Sequence, residues 1–203
     1  MNYIGFYWTL PVPWAGFTTL PRKVAEAAGK SQSIRYQMER VRHWVKDHKG
    51  VLIHEEAFME LRADRGTSDI QPEVKRLLAM AEIRDAELVV VNFAETFFWR
   101  PHGHLWATLA DQARVMALDP APMMLDGQLF TPSDHFRTWV HRAEAHAAEK
   151  LAVKAALGQR IRAMKDKGLS YTLIANALND EKVTTPNGKP WRADNLRKFL
   201  ADL

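Results

Sequence analysis

Apolar and polar positions along this chain follow two periods, and the points where one gives way to the other mark its elements. Tyr3 to Trp8 is an apolar run halted by the proline-rich LPVPW, which predicts a first strand. Ile34, Met38, Val41 and Val45 fall at helical spacing, with Ser33 as the predicted cap and Gly50 as the stop. VLIHEEAFM, from Val51, predicts a second strand, and ELRADRGTSDIQ after it a polar loop. Pro72 is expected to open the next helix, where its missing N–H costs nothing, and Val74, Leu77, Leu78 and Ala81 supply the apolar face. AELVVVNFAETFFWR, residues 86–100, carries Val89–Val91, the kind of run that a strand buried on both faces shows. A helix from about His104 to Met116 and a short segment at PMMLD follow. This order predicts an α/β fold with a mostly parallel sheet and crossover helices.

From about Ser133 to Lys165 there is no proline, and Gly158 is the one glycine. Phe136, Val140, Ala143, Ala147 and Leu151 fall near helical spacing. A helix of ~30 residues would be ~45 Å long, too long to bury against a small domain, so it is expected to protrude and to pair with a second copy as a homodimer. Beyond it, Gly168 stops the helix and Ser170 caps another, whose apolar face is Tyr171, Ile174, Ala175 and Leu178 and whose end is Asn179. TTPNGKPW predicts an Asn-Gly turn flanked by short strands. A last helix then turns Leu196, Phe199 and Leu200 inward and leaves Arg192, Asn195, Arg197 and Lys198 outward. Three regions result: 1–132 as the α/β domain, 133–166 as the long helix, and 167–203 as a small helical domain.

Composition and charge sharpen the picture. The 203 residues include no cysteine, which removes disulfides, thiolate nucleophiles and cysteine zinc sites and fits a reducing compartment. The first twenty residues are uncharged but lack a basic leader and are broken by Pro11 and Pro13, so they are expected to be strand and loop rather than a secretory signal. A cytoplasmic protein without a membrane partner is expected. The net charge of +4 is uneven: residues 150–203 hold 11 Lys and Arg against 5 Asp and Glu, whereas residues 1–149 hold 17 against 19. A basic segment behind a near-neutral body points to a polyanion. Short helices around a turn with a basic last helix are how helix-turn-helix modules enter the major groove, where arginine reads guanine and asparagine adenine. Double-stranded DNA is the expected partner, through Arg160, Arg162, Thr185, Lys189, Arg192, Asn195, Arg197 and Lys198.

GLSYTLIANALNDEKVTTPNGKPW also resembles the segment that follows the catalytic domain of many serine recombinases, with its Gly-x-Ser, Ile-Ala-x-x-Leu-Asn, Thr-Pro-x-Gly and Trp elements at matching spacing. The body is similar, more distantly, to the resolvase catalytic domain of the same superfamily. SIRYQ, Ser33 to Gln37, resembles its serine–glutamine element; QPEVKRLLAMA resembles an arginine–proline helix start; residues 86–100 resemble the strand that ends in Asp-Arg-Leu-x-Arg. The resemblance implies a resolvase-like domain, a dimerisation helix at ~133–165, and a recombinase-type helix-turn-helix at the end.

That family joins a serine covalently to a DNA phosphate and stabilises the reacting phosphate with clustered arginines, without metal or cofactor. Its nucleophile lies past the first strand in Tyr-x-Arg-x-Ser. This chain reads Tyr7-Trp8-Thr9-Leu10-Pro11, so Thr9 stands for the arginine and Pro11 for the serine. Gln71 precedes Pro72 where the family has arginine, and Thr96 and Trp99 replace the arginines after the acid Glu95, although a one-residue shift would bring Arg100 into the last position. The resemblance therefore implies a degenerate catalytic site, in a regulator or an accessory to an active recombinase.

Other readings stay open. A relocated nucleophile among Ser31, Ser33 and Ser68, or Thr18 and Thr19, clamped by Arg62, Arg65 and Arg100, would make an active recombinase; residues 11–33 exceed the family's usual linker. His102 and His104, with an acid such as Glu95, have zinc-ligand character, though no metal is expected. Tyr7, Trp8, Trp14, Phe97, Phe98 and Trp99 form either core, a ligand pocket or a protein-docking face.

Overall fold

The computed structural model describes residues 1–94 and 102–203. Four strands, β1 (Asn2–Thr9), β2 (Val51–Met59), β3 (Ala86–Val91) and β4 (Val115–Leu118), form one sheet in the order β2-β1-β3-β4, and every pairing is parallel. Among the described residues the helices are α1 (Val24–Lys30), α2 (Gln32–Asp47), α3 (Ile70–Ile83), α4 (Gly103–Leu109), α5 (Pro132–Asp166), α6 (Tyr171–Asp180) and α7 (Ala193–Ala201). The expected α/β class with a parallel sheet is present.

The apolar run of β1 follows from burial on both faces. Alternate residues point to opposite sides of a strand. Tyr3 and Tyr7 pack with Ile34, Met38, Val41 and Val45 of α2, while Ile4, Phe6 and Trp8 pack with Ile70, Val74 and Leu77 of α3 and with Leu105 and Leu109 of α4. Each such side chain contributes roughly 1.5–3 kcal/mol by leaving water. β3 parts from β1 beyond the Phe6–Val90 pairing, and the backbone of Trp8 loses its neighbour there. The Gln37 side chain takes the strand's place: its Oε1 accepts from the Trp8 N–H at 3.1 Å and its Nε2 donates to the Trp8 carbonyl at 2.8 Å.

Several expectations are corrected. Ser31, not Ser33, caps α2: its hydroxyl accepts from the Ile34 N–H, while Ser33 lies inside the helix, buried, within 3.2 Å of Gln37 Nε2. α3 begins two residues before Pro72, which costs nothing because the first N–H groups of a helix are unbonded in any case. The helix expected to run to Met116 stops at Leu109, and Met116 belongs to β4; the exposed edge of β3 offers Val115–Leu118 a ladder that a four-residue apolar stretch cannot reveal by its period. PMMLD opens an antiparallel ribbon, β5 (Met123–Leu125) and β6 (Gln128–Phe130), whose turn residues Asp126 and Gly127 have φ of 51° and 76°, the hand that two-residue hairpins need. No strand flanks Asn187–Gly188; the turn is held by the Gly188 N–H on the Thr185 carbonyl and the Thr185 N–H on the Lys189 carbonyl. α1 and a short helical turn at Pro13–Ala15 occupy part of 11–33, where no helix was expected.

The chain divides into two compact units, Met1–Thr138 and Trp139–Leu203. The second has its own core, in which Ile161 of α5 packs with Ile174, Ala175 and Leu178 of α6, Trp191, and Leu196 and Phe199 of α7. α5 is a single helix of 35 residues, and its residues 141–153 are exposed on every side. No helix among the described residues is long and apolar enough to cross a membrane.

Candidate functional site

Strand order reverses about β1, and in open parallel sheets the crevice at such a point, beyond the carboxyl ends of the strands, is where ligands bind. β1 delivers Thr9, Leu10 and Pro11 there, and β2 delivers Glu60. Thr9 is buried and its hydroxyl lies 3.5 Å from the Leu10 carbonyl; Pro11 is buried; the half-buried Gln71 donates to the Thr108 hydroxyl at 3.2 Å. None of these three positions holds a cation or a nucleophile aimed at solvent. Glu95, Thr96, Phe97, Phe98, Trp99 and Arg100 lie outside the described residues. Of the serines, Ser31 is spent on the α2 cap and Ser33 is buried in that helix, whereas Ser68 is exposed after the loop that carries the exposed Arg62 and Arg65. Tyr7 and Trp8 are core residues, and Trp14 is 41% exposed.

A buried polar cluster lies at these strand ends; of its members the sequence singles out His102, and with a different acid. His102 and Glu60 have side chains with no exposure, and His102 Nε2 lies 2.5 Å from Glu60 Oε1. His102 Nδ1 accepts from the Leu105 N–H at 3.2 Å as the cap of α4, so the ring proton is on Nε2 and donates to Glu60, a tautomer assigned from the bonds. Glu60 Oε2 accepts from the Thr67 N–H at 3.1 Å, and the Thr67 hydroxyl lies 2.7 Å from it and 2.8 Å from Asp69 Oδ2. The Trp8 ring meets His102 edge-on at 4.8 Å. A Cβ at Gly66 would stand 2.4 Å from the imidazole, so only glycine lets the loop close over it. The cluster ties the β2–α3 loop to the start of α4. Both imidazole nitrogens are engaged, which leaves His102 no lone pair for a metal, and among the described residues no group of three or more metal-binding side chains occurs.

The expected DNA contacts fall in the second unit, but they differ in freedom. Arg160 is held by Glu181, with both carboxylate oxygens at 2.6 Å from one guanidinium nitrogen, and that hydrogen bonding raises its already high pKa. Asn195 is committed to the start of α7: its Oδ1 accepts from the Arg192 N–H at 2.8 Å and its Nδ2 donates to the Pro190 carbonyl at 3.0 Å. The Thr185 hydroxyl accepts from the Lys189 N–H within the turn. Arg162, Lys189, Arg192, Arg197 and Lys198 have exposed side chains. Asn179 ties the connection to the core by a reciprocal pair with the Trp191 backbone, at 2.9 and 2.8 Å.

Residues 152–202 match the Recombinase family model. The match spans the end of α5 together with α6 and α7, about a quarter of the chain, and coarsely supports a recombinase-related protein. No curated protein and no solved structure matches the chain. The matched segment coincides with the second unit's core: the buried residues from Ile161 to Phe199 all lie within it.

Proposed function

We propose that the second unit is a recombinase-type helix-turn-helix module that binds double-stranded DNA, and that the chain acts as a regulator or accessory of recombination without exchanging strands itself. The observation that carries this reading is the recombinase match falling on a unit with its own core, in the region of 150–203 where 11 cations face 5 acids. DNA binding through such a surface draws on phosphate neutralisation and counterion release. Arg192 and Lys198, exposed beside and on α7, are the side chains proposed to approach the bases and phosphates. The body is proposed to be a resolvase-like domain whose chemistry has been lost. Thr9 and Pro11 supply neither the arginine nor the serine of the family pattern, and losing even one donor that stabilises the reacting charge costs ~10²–10³ in rate. α5, exposed around its whole circumference over 141–153, is proposed to pair with α5 of a second copy.

The test is duplex binding by the full chain across a salt series, beside an Arg192→Ala/Lys198→Ala variant. Binding that weakens steeply with salt and is impaired in the variant supports the reading; no binding at low salt refutes it. The same duplexes, nicked to trap intermediates, test the chemistry. One second reading has an observation behind it, that Ser68, Arg62 and Arg65 are all exposed in the segment between β2 and α3. A covalent protein–DNA adduct that disappears in Ser68→Ala would replace the regulator with an active recombinase.

A further inference from the structure

We infer that Lys165 and Arg197, gathered on the ring of Tyr171, form a sequence-independent anchor for the phosphates of one DNA strand. The inference rests on the DNA-binding reading and deepens it, because Lys165 is not among the contacts expected from the sequence. Lys165 Nζ lies 4.7 Å from the Tyr171 ring centroid and the Arg197 guanidinium carbon lies 5.3 Å from it. Lys165 comes from the end of α5, Tyr171 opens α6, and Arg197 sits in α7, so all three helices of the second unit meet at this ring.

Two exposed cations up to about 10 Å apart repel each other only weakly, and the attraction of each to the ring holds both charges at one place. The counter-charges at hand are weak. Arg197 meets Asp194 at 3.4 Å, with side chains 62% and 88% exposed, and Lys165 Nζ donates to the Leu169 carbonyl at 3.4 Å. Exposed pairs of this kind contribute little and yield readily to a phosphate. Arg160 is the contrast, since its carboxylate partner holds it at 2.6 Å. The distances to the ring put the two charges within about 10 Å of each other. Phosphates of one strand recur roughly every 3.4 Å along the duplex axis, so a separation of this size is within the reach of nearby phosphates on a single strand. Contacts of this kind set position on the duplex and carry no base preference.

The experiment uses the full chain and two short duplexes of different sequence, titrated across a salt series. Compared are wild type, Lys165→Gln, Arg197→Gln, the double variant, and Lys46→Gln, in α2 of the first unit, as a control for charge alone. Lys165, Arg197 and Lys46 are all exposed, so the fold tolerates each change. The slope of log affinity against log salt is expected to fall by about 1 for each single variant and by about 2 for the double, equally on both duplexes, with Lys46→Gln unchanged. If wild type binds and the double variant keeps its slope, or if Lys46→Gln loses as much as Lys165→Gln, the anchor is wrong and the DNA-binding reading stands. If wild type itself binds neither duplex, both fall. A second readout needs no variant: the Tyr171 ring resonances of the wild-type chain shift on adding duplex if the anchor is right, and stay fixed at saturation if it is not.

Discussion

At Gly5 the backbone sets what β1 can hold. A Cβ there would stand 2.3 Å from the Tyr7 hydroxyl, which folds back over the glycine to donate to Glu55 at 2.8 Å. Arg42 grips the same carboxylate at 2.9 and 2.8 Å. Burial, with the Glu55 charge and hydrogen bond, pushes the Tyr7 phenol far above its ordinary pKa, so it stays protonated as the donor. Because Glu55 and Arg42 fix the ring, Gly5→Ala cannot be absorbed locally, and we expect a loss of about 1–3 kcal/mol in urea unfolding. Around His102 hydrogen bonding decides. His102→Ala strips a buried Glu60 oxygen of its donor, for an expected loss of about 1–3 kcal/mol from that bond by the same measurement. Glu60→Gln keeps a carbonyl to accept from Nε2 but turns its amide onto the Thr67 N–H, so it should also destabilise; no loss in either variant would mean that these bonds do not hold the cluster. None of this was legible beforehand: Glu60 and His102 are 42 positions apart, and no spacing rule joins them.

At the scale of elements, β2 is an edge strand of nine residues, long enough to invite pairing with another chain. Glu55 and Glu56, mid-strand and on opposite faces, oppose that, each paired to an arginine from a helix: Arg42 from α2 and Arg76 from α3. Desolvation raises the pKa of Glu56, but hydrogen bonds from Arg76 and His54, with their charges, outweigh it and leave the value lowered. A carboxylate lowered in the fold contributes stability that is fully present above the unfolded value of about 4.3 and is lost as pH falls through the lower folded value. Glu56→Gln should therefore flatten the acid limb of stability against pH, which urea unfolding at a series of pH values would reveal. In α5, Gly158 is buried, and a Cβ there would meet Leu203 Cδ1 at 2.2 Å. That methyl belongs to a flexible side chain near the end of α7 and can swing aside. Gly158→Ala is therefore expected to raise the stability of the second unit by up to about 1 kcal/mol, the usual gain of alanine over glycine in a helix. A net loss would show that Leu203 is held firmly.

For the whole molecule, the two compact units have separate cores. Leu178 lies in a core made entirely by the second, so Leu178→Ala should cost that unit about 2–5 kcal/mol. Amide exchange in α6 and α7 should quicken while protection in β1 and β3 holds; a matching loss in the sheet would mean that the units unfold together. What the sequence by itself determined is whatever a local period can carry. The buried strands β1 and β3, the faces of α2, α6 and α7, the unbroken α5 and the recombinase-like segment were all readable, because each is written in neighbouring residues. Only tertiary structure decided the rest. β4 is a strand because β3 offers it an edge, Ser31 rather than Ser33 caps α2, and Gln37 completes the ladder that β3 leaves. At the strand ends, motif comparison identified positions without a nucleophile or cation, but the acid–imidazole pair buried there depends on desolvation and hydrogen bonding across distant segments. Lys165 and Arg197 meet on Tyr171 for the same reason: a contact between three helices exists only once their core has packed.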